Sequence, residues 1–326
     1  MIATELPLAR TRTDRAGDLR TRPDLLSALL TDPTTRTLLV HDGQVVTRAG
    51  SRGRPALALL TAPEAALLAP GATVEDGWAF LGYDDADGLP GAAPAEQGDR
   101  EPPAYLARLV TDPAAVVLLA GDTWTSLREI GGDLSSRDAG LATSAVALSE
   151  WHSRHPRCPR CGQPTRVVQA GWVRRCVADG SEHYPRTDPA VIMAVVDDED
   201  RLLLGSSTAW PRDRFSTLAG FVEAGESIEH AVRREVREET GVVIGEVQYR
   251  GSQPWPFPAS LMLGFRAQAL TTEIQVDGAE IAQARWFARL DLRAAVRSGA
   301  VRLPSRTSIA RGLIEEWYGG ELPDPL

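Results

Sequence analysis

The 326-residue sequence contains no lysine and no asparagine, so all 35 of its lysine-or-arginine positions are arginines. We attribute this bias to a GC-rich genome rather than to function. Only three cysteines are present, which excludes a disulfide framework. The formal net charge of −9 argues against a protein that coats nucleic acid, since such binding depends on a basic surface.

Long hydrophobic runs are also missing. The longest apolar stretch, residues 56–70, contains Pro63 and Glu64 and is too short to cross a bilayer. Residues 1–15 are interrupted by charged side chains, so they lack the apolar core of a signal peptide. We therefore expect a soluble, cytoplasmic protein with no membrane partner, long enough for about two domains of roughly 150 residues.

Apolar runs bounded by turn residues predict where several elements lie. Buried strands are predicted at residues 37–40 and 115–120, an exposed loop at 83–103, and helices at 141–151 and 308–317. Two further apolar runs, 190–196 and 201–205, flank an acidic turn and predict a β-hairpin.

Residues 151–187 form a basic segment within this acidic chain. Seven arginines against two acidic residues leave a local charge of +5. The segment is either a solvated loop surface or a region that attracts a phosphate-bearing ligand. Its arginines are Arg154, Arg157, Arg160, Arg166, Arg174, Arg175 and Arg186.

Residues 227–241 have the signals of one well-defined helix. Ser227 is a good N-cap, and Gly241 stands where a helix C-terminal glycine belongs. The apolar residues between them recur at helical spacing and form a stripe that packs on a core. That stripe consists of Ile228, Ala231, Val232 and Val236.

Three glutamates of this helix, Glu235, Glu238 and Glu239, are spaced i, i+3 and i+4 and therefore share a face. Neighbouring arginines can offset their repulsion, as in an ordinary charged helix. Three clustered carboxylates are also the oxygen ligands that Mg²⁺ requires when it shares its shell with substrate phosphates. Glu226 precedes the helix and is expected to reach Arg234, which would orient the metal-binding glutamates.

The whole segment matches the Nudix box, G-x5-E-x7-R-E-U-x-E-E-x-G-U, at every position and so resembles the Nudix hydrolase family. Seven fixed identities at about 7% each give chance odds on the order of 10⁻⁸ per start position. The resemblance implies that Glu235, Glu238 and Glu239 bind Mg²⁺ or Mn²⁺ around a pyrophosphate. Either Glu238 or a second glutamate outside the box would deprotonate the attacking water. The matching residues are Gly220, Glu226, Arg234, Glu235, Val236, Glu238, Glu239, Gly241 and Val242.

A second motif, S-Q-P-W-P-F-P-A-S, occupies residues 252–260. Its three alternate prolines restrict φ and stiffen the chain. They either hold Trp255 and Phe257 as flat surfaces for ring stacking or form a proline-rich bend packed by two aromatics. The string resembles the signature of NADH pyrophosphatases, a branch of the Nudix family. The run Y-P-R-T-D-P-A-V-I at residues 184–192 resembles the entry to that branch's first Nudix strand.

The same resemblance implies further site residues. Phe221 and Tyr184 are expected to sandwich a nicotinamide, with Tyr184 reaching across a homodimer interface, although either ring can be simple core. Glu280 is expected to contact the metal or the catalytic water. The nucleotide site is expected to be lined by Trp255, Gln253, Ser260 and the backbone of Ala310.

The cysteines have part of the spacing of a zinc ribbon. Cys158 and Cys161 form a C-x-x-C-G half, and Cys176 follows after 14 intervening residues. Asp179 occupies the position where the family's fourth cysteine is expected. Asp179 through oxygen, or His183 through nitrogen, is an acceptable zinc donor, and a metal-free remnant is the alternative. A redox role is weakly supported, because no thioredoxin-like pattern surrounds the motif.

These resemblances predict an α/β fold in three parts. Residues 1–150 would form a Nudix-like α+β domain, 151–187 a zinc-ribbon-like segment, and 188–326 a catalytic Nudix α/β/α sandwich with a mixed sheet.

The implied activity is metal-dependent hydrolysis of the NAD(H) pyrophosphate to NMN(H) and AMP in a homodimer. Removal of NAD caps from RNA 5′ ends is also implied. For that substrate the basic segment is expected to help hold the first RNA phosphates, and neutralising Arg174 and Arg175 is the test of that expectation. The alternatives are a pyrophosphatase acting on ADP-ribose or another nucleoside diphosphate derivative, and a non-catalytic nucleotide sensor. Such sensors typically lose box glutamates, and this sequence keeps them all.

Overall fold

The structure is a computed structural model that describes residues 6–71, 73, 76–85 and 102–323. The chain divides into two compact units. The N-terminal unit consists of Arg10–Thr187 and Trp255–Ala259, and the C-terminal unit of Met1–Ala9, Asp188–Pro254 and Ser260–Leu326. The domain limits 1–150, 151–187 and 188–326 stay predictions. Most of the predicted loop 83–103 lies outside the described residues.

The N-terminal unit is built on one large sheet and one small sheet. The strands of the large sheet are β1 (Thr13–Asp14), β2 (Arg36–His41), β3 (Gln44–Ala49), β4 (Pro55–Leu57), β5 (Trp78–Asp84), β6 (Ala104–Leu109) and β7 (Thr123–Ser126). Those of the small sheet are β8 (Thr165–Val168), β9 (Val173–Cys176) and β10 (Glu182–His183). The helices are α1 (Leu25–Thr31), α2 (Ala62–Leu68), α3 (Leu127–Ile130) and α4 (Ser136–Arg154).

The large sheet has the strand order β1-β5-β6-β2-β3-β4, with β7 on β3. Strands β2 and β6 run parallel, so their carboxyl ends meet at one edge. Residues of α1 and α2 share a buried core with residues of these strands, such as Leu39 of β2 and Leu106 of β6. Helix α4 packs against β2, β5 and β6. The small sheet has the order β10-β9-β8 and surrounds the cysteines.

The predicted strand at residues 115–120 is wrong. The segment starts in a 3-10 turn, Pro113–Ala115, and continues without a strand. Val117 and Leu119 are 64% and 44% exposed, so these apolar side chains do not enter the core that the run suggested. The predicted helix 141–151 is confirmed, but α4 begins five residues earlier, where the Ser135 hydroxyl accepts from the Asp138 N–H.

The C-terminal unit is a mixed sheet between helices. Its strands are β11 (Asp188–Val196), β12 (Leu202–Ser207), β13 (Leu218–Phe221), β14 (Ile244–Trp255), β15 (Ser260–Ala269) and β16 (Ile281–Phe287). Its helices are α5 (Ile228–Thr240), α6 (Arg289–Arg297) and α7 (Ile309–Tyr318). The order is β14-β15-β11-β12-β16, with β13 on β11, and β11 runs parallel to β15.

Strand β11 shows why this unit has three layers. Val191, Met193 and Val195 share one core cluster with the apolar stripe of α5. The alternate residues Ile192 and Ala194 share another cluster with apolar residues of α6 and α7. Because successive strand residues point to opposite faces, the run of apolar residues requires a helix layer on each side. The predicted α/β/α sandwich and the β11–β12 hairpin are confirmed.

Across the described residues, no helix combines the length and the apolar character needed to cross a membrane.

Candidate functional site

Helix α5 is capped at both ends as the sequence predicts. The Ser227 hydroxyl accepts a hydrogen bond from the backbone N–H of His230 at 3.3 Å. Gly241 ends the helix with a φ of 71°, in the left-handed region. The buried residues Val232 and Val236 hold the helix against the sheet. Packing on this apolar stripe therefore fixes the position of the glutamates on the neighbouring face.

Gly220 of β13 lies directly against the Glu235 carboxylate. A Cβ built at position 220 would fall 1.9–2.2 Å from the Glu235 carboxyl carbon and oxygens. Real side chains do not approach so closely, so any other residue here would displace this carboxylate. The glycine that opens the Nudix box is thus required by close approach to the helix.

Arg234 holds four acceptor groups together. Its Nε and Nη2 donate to the two carboxylate oxygens of Glu226, each at 2.9 Å. Nη2 also donates to the Phe221 carbonyl at 2.9 Å. Nη1 donates to Glu235 Oε1 at 2.8 Å and to Glu238 Oε2 at 3.0 Å. The bidentate Glu226 pair fixes the guanidinium, and the guanidinium in turn positions two of the three glutamates.

Glu239 is a buried carboxylate with an unused oxygen. Its residue is 6% exposed, and its Oε2 has no hydrogen-bond partner in the described part of the chain. Burial, followed by the charges of Glu235, Glu280, Asp277 and Glu238, raises the pKa of Glu239 to about 8. Burial also raises the pKa of Glu235. Adjacent buried carboxylates are unfavourable unless a cation compensates them.

The turn before β16 contributes two more acidic side chains. Asp277 accepts from the backbone N–H groups of Glu280 and Ile281, each at 2.9 Å, and these hydrogen bonds lower the pKa of Asp277. Glu280 was predicted from the resemblance, whereas sequence reasoning missed Asp277. The local pattern D-G-A-E marks Asp277 as a turn residue, and nothing in it indicates proximity to α5.

These residues fit a hard divalent cation. Carboxylate oxygens are the ligands that Mg²⁺ and Mn²⁺ prefer, and Glu239 Oε2 is buried without a partner among the described residues. The glutamates of the Nudix box differ in solvent exposure: the side chain of Glu238 is 62% exposed and that of Glu235 only 11%. The residues that would hold the cation are Glu235, Glu238, Glu239 and Glu280.

The predicted substrate residues lie in both units. The aromatic rings of Phe221 and Tyr184 are exposed, and the Tyr184 hydroxyl donates to Glu182 at 3.1 Å. Phe221, Gln253, Ser260 and Ala310 belong to the C-terminal unit, and Tyr184 and Trp255 to the N-terminal unit. Trp255 lies edge-to-face with Phe257 at 5.0 Å between ring centroids, and Arg128 stacks over both rings.

Two of these residues are engaged within the C-terminal unit. Gln253 has no exposed surface; its amide donates to the Thr307 carbonyl at 3.0 Å and accepts from the Leu8 N–H at 3.4 Å. The Ala310 N–H donates to the Ser308 hydroxyl at the start of α7 at 3.2 Å. Gln253 and Ala310 therefore have structural roles that do not require a ligand.

The arginines of the basic segment do not form one free surface. Arg174 is only 8% exposed. Arg175 pairs with Glu182 and Arg154 with the buried Glu150. The expectation that Arg174 and Arg175 present their charge to a ligand strand is therefore wrong, because one is buried and the other is neutralised. Arg157, Arg160 and Arg166 are exposed and have no carboxylate within 4 Å among the described residues.

The cysteines and Asp179 lie together beside the small sheet, in the turn before β8, at the end of β9 and in the turn between β9 and β10. The ligand atoms of Cys158, Cys161, Cys176 and Asp179 are all within 4.8 Å of one another, and the Cys161 and Cys176 sulfurs are 3.5 Å apart. Tetrahedral zinc sites with Zn–S bonds of about 2.3 Å place ligand atoms about 3.8 Å apart. Three thiols and one carboxylate are suitable zinc donors, so this set fits a structural zinc ion.

Two turns of the same form present these four groups. In C-x-x-C-G at 158–162 the Gly162 N–H donates to the Cys158 carbonyl, and in C-x-x-D-G at 176–180 the Gly180 N–H donates to the Cys176 carbonyl. Both glycines have positive φ, 74° and 71°. Asp179 thus occupies in the second turn the place that Cys161 occupies in the first. His183 instead contacts the Ser181 hydroxyl, at 3.1 Å.

Comparison with known families agrees with these sites. The NUDIX domain family matches residues 186–305. Residues 186–305 are therefore a Nudix domain. Two further matches are to domains of NADH pyrophosphatases: the NADH pyrophosphatase zinc ribbon domain at residues 153–184 and the NADH pyrophosphatase-like rudimentary NUDIX domain at residues 34–151. The zinc ribbon and the degenerate N-terminal domain that the sequence predicted are confirmed.

Similar proteins have been described in bacteria and mammals. The protein named NAD-capped RNA hydrolase NudC in Mycobacterium tuberculosis is 45% identical over 204 residues, which is 60% of this chain and 65% of that one. A human NAD-capped RNA hydrolase is 44% identical over 196 residues, 56% of this chain and 42% of its own. The alignments thus span less than two thirds of these relatives. A NUDIX hydrolase structure from Nitrosomonas europaea is 20% identical, with a TM-score of 0.38 over 52% of this chain and 96% of its own.

Proposed function

We propose that the protein hydrolyses the pyrophosphate bond of NAD(H), giving NMN(H) and AMP, with Mg²⁺ or Mn²⁺ held by Glu235, Glu238, Glu239 and Glu280. The observation that carries the proposal is the Arg234 cluster beside Glu239. Arg234 positions Glu235 and Glu238, and Glu239 keeps a buried oxygen available for a cation. The zinc ribbon and rudimentary domains of the NADH pyrophosphatase branch support NAD(H) as the substrate.

Each residue has a part in the proposed reaction. A divalent cation, when bound, neutralises phosphate charge and lowers the pKa of a bound water. Arg234 keeps the glutamates oriented through its bidentate pair with Glu226. The exposed carboxylate of Glu238 is our candidate to accept the water proton, and Glu280 is the alternative general base. Phe221 presents an exposed ring at the end of β13 for stacking on the nicotinamide.

The proposal also includes residues outside the Nudix box, the oligomeric state and the zinc site. We assign Tyr184, Trp255 and Ser260 to nicotinamide and nucleotide binding, together with Gln253 and the Ala310 backbone in supporting positions. We also propose that the protein is a cytoplasmic homodimer, which sedimentation equilibrium checks. Asp179 is our candidate for the fourth zinc ligand.

Product analysis tests the function. Purified protein is incubated with NADH, NAD, ADP-ribose and a deoxynucleoside triphosphate, each in Mg²⁺ and in Mn²⁺, and the products are separated by mass. We expect NMNH and AMP from NADH, with lower turnover of the other compounds. Turnover confined to ADP-ribose or the triphosphate would replace this proposal by the alternative pyrophosphatase. NAD binding without any turnover would indicate a sensor.

Gly220→Ala tests the role of close packing without removing any charge. The new methyl group would overlap the Glu235 carboxylate, which must then move away from Arg234. We expect kcat for NADH hydrolysis to fall by about 10²-fold, because misplacing a reacting group by about 1 Å has an effect of that size. Gly320→Ala is the control, since nothing lies within 4 Å of a Cβ placed there and its φ is not in the left-handed region. Equal activity of both variants would contradict the assigned role of Glu235.

NAD-capped RNA is the second substrate we propose, supported by the names of the relatives. Arg160 and Arg166 are the exposed arginines best suited to hold RNA phosphates. In the double variant Arg160→Gln/Arg166→Gln we expect the slope of log Kd against log salt to fall by about 0.7 for each RNA phosphate that is no longer neutralised. Turnover of free NADH serves as the internal control and stays unchanged. An unchanged salt slope would exclude these arginines from RNA binding.

A further inference from the structure

A cavity of about 590 Å³ opens within the N-terminal unit. Its walls come from the ends of β2 and β6, from the second half of α4 and from β9, which carry His41, Leu109, Ser149 and Arg174. Strands β2 and β6 are the parallel pair of the large sheet. Ligands of open α/β sheets bind in the crevice outside the carboxyl ends of such strands, which is where this cavity lies.

Arg174 is a buried cation that lines this cavity. Among the residues that the structure describes, all of its hydrogen-bond partners are neutral. Its Nε and Nη2 donate to the Thr165 hydroxyl and carbonyl, at 2.6 and 3.2 Å, and its Nη1 lies 2.9 Å from His152 Nδ1. His152 Nε2 lies 2.8 Å from the Gly171 carbonyl, which can only accept. The imidazole is therefore neutral, with Nδ1 as acceptor. Two of the five N–H groups of Arg174 are left without an acceptor among the described residues.

Two further groups line the cavity. Arg108 is 4% exposed and donates to the carbonyls of Ala69, Pro70 and Leu109, and no described carboxylate lies within 4 Å of its guanidinium. Ser149 is 8% exposed, and its hydroxyl makes no hydrogen bond to another described residue. The charge of Asp76 acts on both Arg108 and Arg174, but Asp76 is exposed, so an anion inside the cavity would compensate these buried cations better.

Two acidic residues among the described lining of the cavity stand at its rim. Asp42 and Asp76 are both exposed, so water screens their charges more than it screens the buried guanidinium groups. They repel additional negative charge near the entrance. The arrangement therefore favours a ligand with one anionic group that reaches the buried arginine and an uncharged body that fills the rest.

We propose that this cavity binds a phosphomonoester of mononucleotide size, with its phosphate held by Arg174 and the Ser149 hydroxyl. The planar guanidinium offers paired N–H groups that match phosphate oxygens. A volume of 590 Å³ lies within the range of small-molecule sites, roughly 300–1,000 Å³. A bare phosphate ion would leave most of that space unfilled, and the rim carboxylates select against a triphosphate. The site is distinct from the Nudix box, because every lining residue that the structure describes belongs to the N-terminal unit.

Equilibrium dialysis of the full chain tests the proposal, with labelled AMP and no added divalent cation. The protein carries Glu239→Gln so that binding at the box is weakened. We expect one equivalent of AMP to bind, and Ser149→Leu and Arg174→Gln each to weaken binding at least tenfold. Arg54→Gln removes an exposed arginine of the same unit and serves as the matched control, with unchanged affinity. NMN is the second probe, and ATP is expected to bind at least tenfold more weakly than AMP.

Each result of the dialysis experiment either supports or overturns the proposal. Equal AMP affinity in the Ser149→Leu variant and the control would overturn the proposal, as would ATP or inorganic phosphate binding as tightly as AMP. No binding of either AMP or NMN at millimolar concentration would also overturn it. Circular dichroism and zinc content verify the fold of each variant, and Ser149→Ala, which removes only the hydroxyl, replaces Ser149→Leu if that variant misfolds. Because dialysis measures binding and not turnover, its failure leaves the proposed hydrolysis standing.

Discussion

Glu239→Gln is expected to lower kcat for NADH hydrolysis by about 10²–10³-fold. The substitution preserves the shape of the side chain but removes the negative charge that a divalent cation needs. It also removes the repulsion from Glu235 and the other acidic neighbours that raises the pKa of Glu239 to about 8. The metal-free variant should therefore be at least as stable as the parent protein while losing its activity. Steady-state kinetics and thermal unfolding measure the two effects.

Glu229→Gln is the matched control for this experiment. Glu229 lies on the same helix, in its first turn, and is exposed. We expect full activity in this variant and the same rise in melting temperature on addition of Mn²⁺ as in the parent protein. The Glu239→Gln variant should show little or no Mn²⁺ stabilisation. Undiminished turnover after Glu239→Gln would remove the metal-binding role from this carboxylate.

The raised pKa of Glu239 also sets a pH dependence with a defined sign. Its unfolded pKa is 4.5 and its folded pKa is about 8, so between these values the folded metal-free protein binds the extra proton. Unfolding free energy should therefore fall as pH rises from about 4.5 to about 8 and change little from this group beyond that range. A divalent cation opposes the loss, because it binds the ionised form and releases the proton. Urea unfolding of the parent and Glu239→Gln proteins across this range checks the difference.

Asp179→Ala is expected to release zinc and lower the melting temperature by about 10 °C. A loss of roughly 3 kcal/mol corresponds to such a shift at about 2–4 °C per kcal/mol in a domain of this size. Asp179→Cys should do the opposite. A fourth thiolate completes a tetrahedral Cys₄ set, which is softer and better matched to Zn²⁺ than a carboxylate. Competition with a coloured chelator measures zinc retention in each variant.

His183→Ala distinguishes the two candidate fourth ligands. His183 contacts the Ser181 hydroxyl, and Ser181 also donates to Asp179. We expect this variant to keep its zinc with near-parental affinity. Loss of zinc in His183→Ala together with retention in Asp179→Ala would transfer the ligand role to the histidine. Absence of zinc from the parent protein would reduce the segment to a metal-free remnant held by packing.

Features that depend on neighbouring residues were predictable. The caps of α5, the hairpin β11–β12 and the pairing of Glu226 with Arg234 were confirmed because each depends on spacing along one short segment. The repeated knuckle turns follow the same rule, since the cysteine and glycine spacing defines each turn locally. Capping and turn chemistry involve residues only a few positions apart.

Which side chains are buried, and which residues they contact, could not be predicted from the local sequence. The apolar run at 115–120 indicated a buried strand, yet Val117 remains exposed. Arg174 was expected to be a surface charge, yet it is buried against Thr165 and His152. Gln253 was expected at a ligand, yet it joins Leu8 to Thr307. In the last two cases the residues that bury the side chain lie outside its local motif.

The sequence by itself determined the Nudix class, the helix that carries the glutamates and the three cysteine positions of the zinc ribbon, because periodicity, caps and fixed spacings express these directly. Only the tertiary structure decided which charges are buried. It placed Asp277 and Glu280 close enough to Glu239 to raise its pKa, brought Gly220 against Glu235, and enclosed Arg174 beside Ser149 in a separate cavity. Desolvation and close approach depend on atoms from distant segments, so no local pattern encodes them.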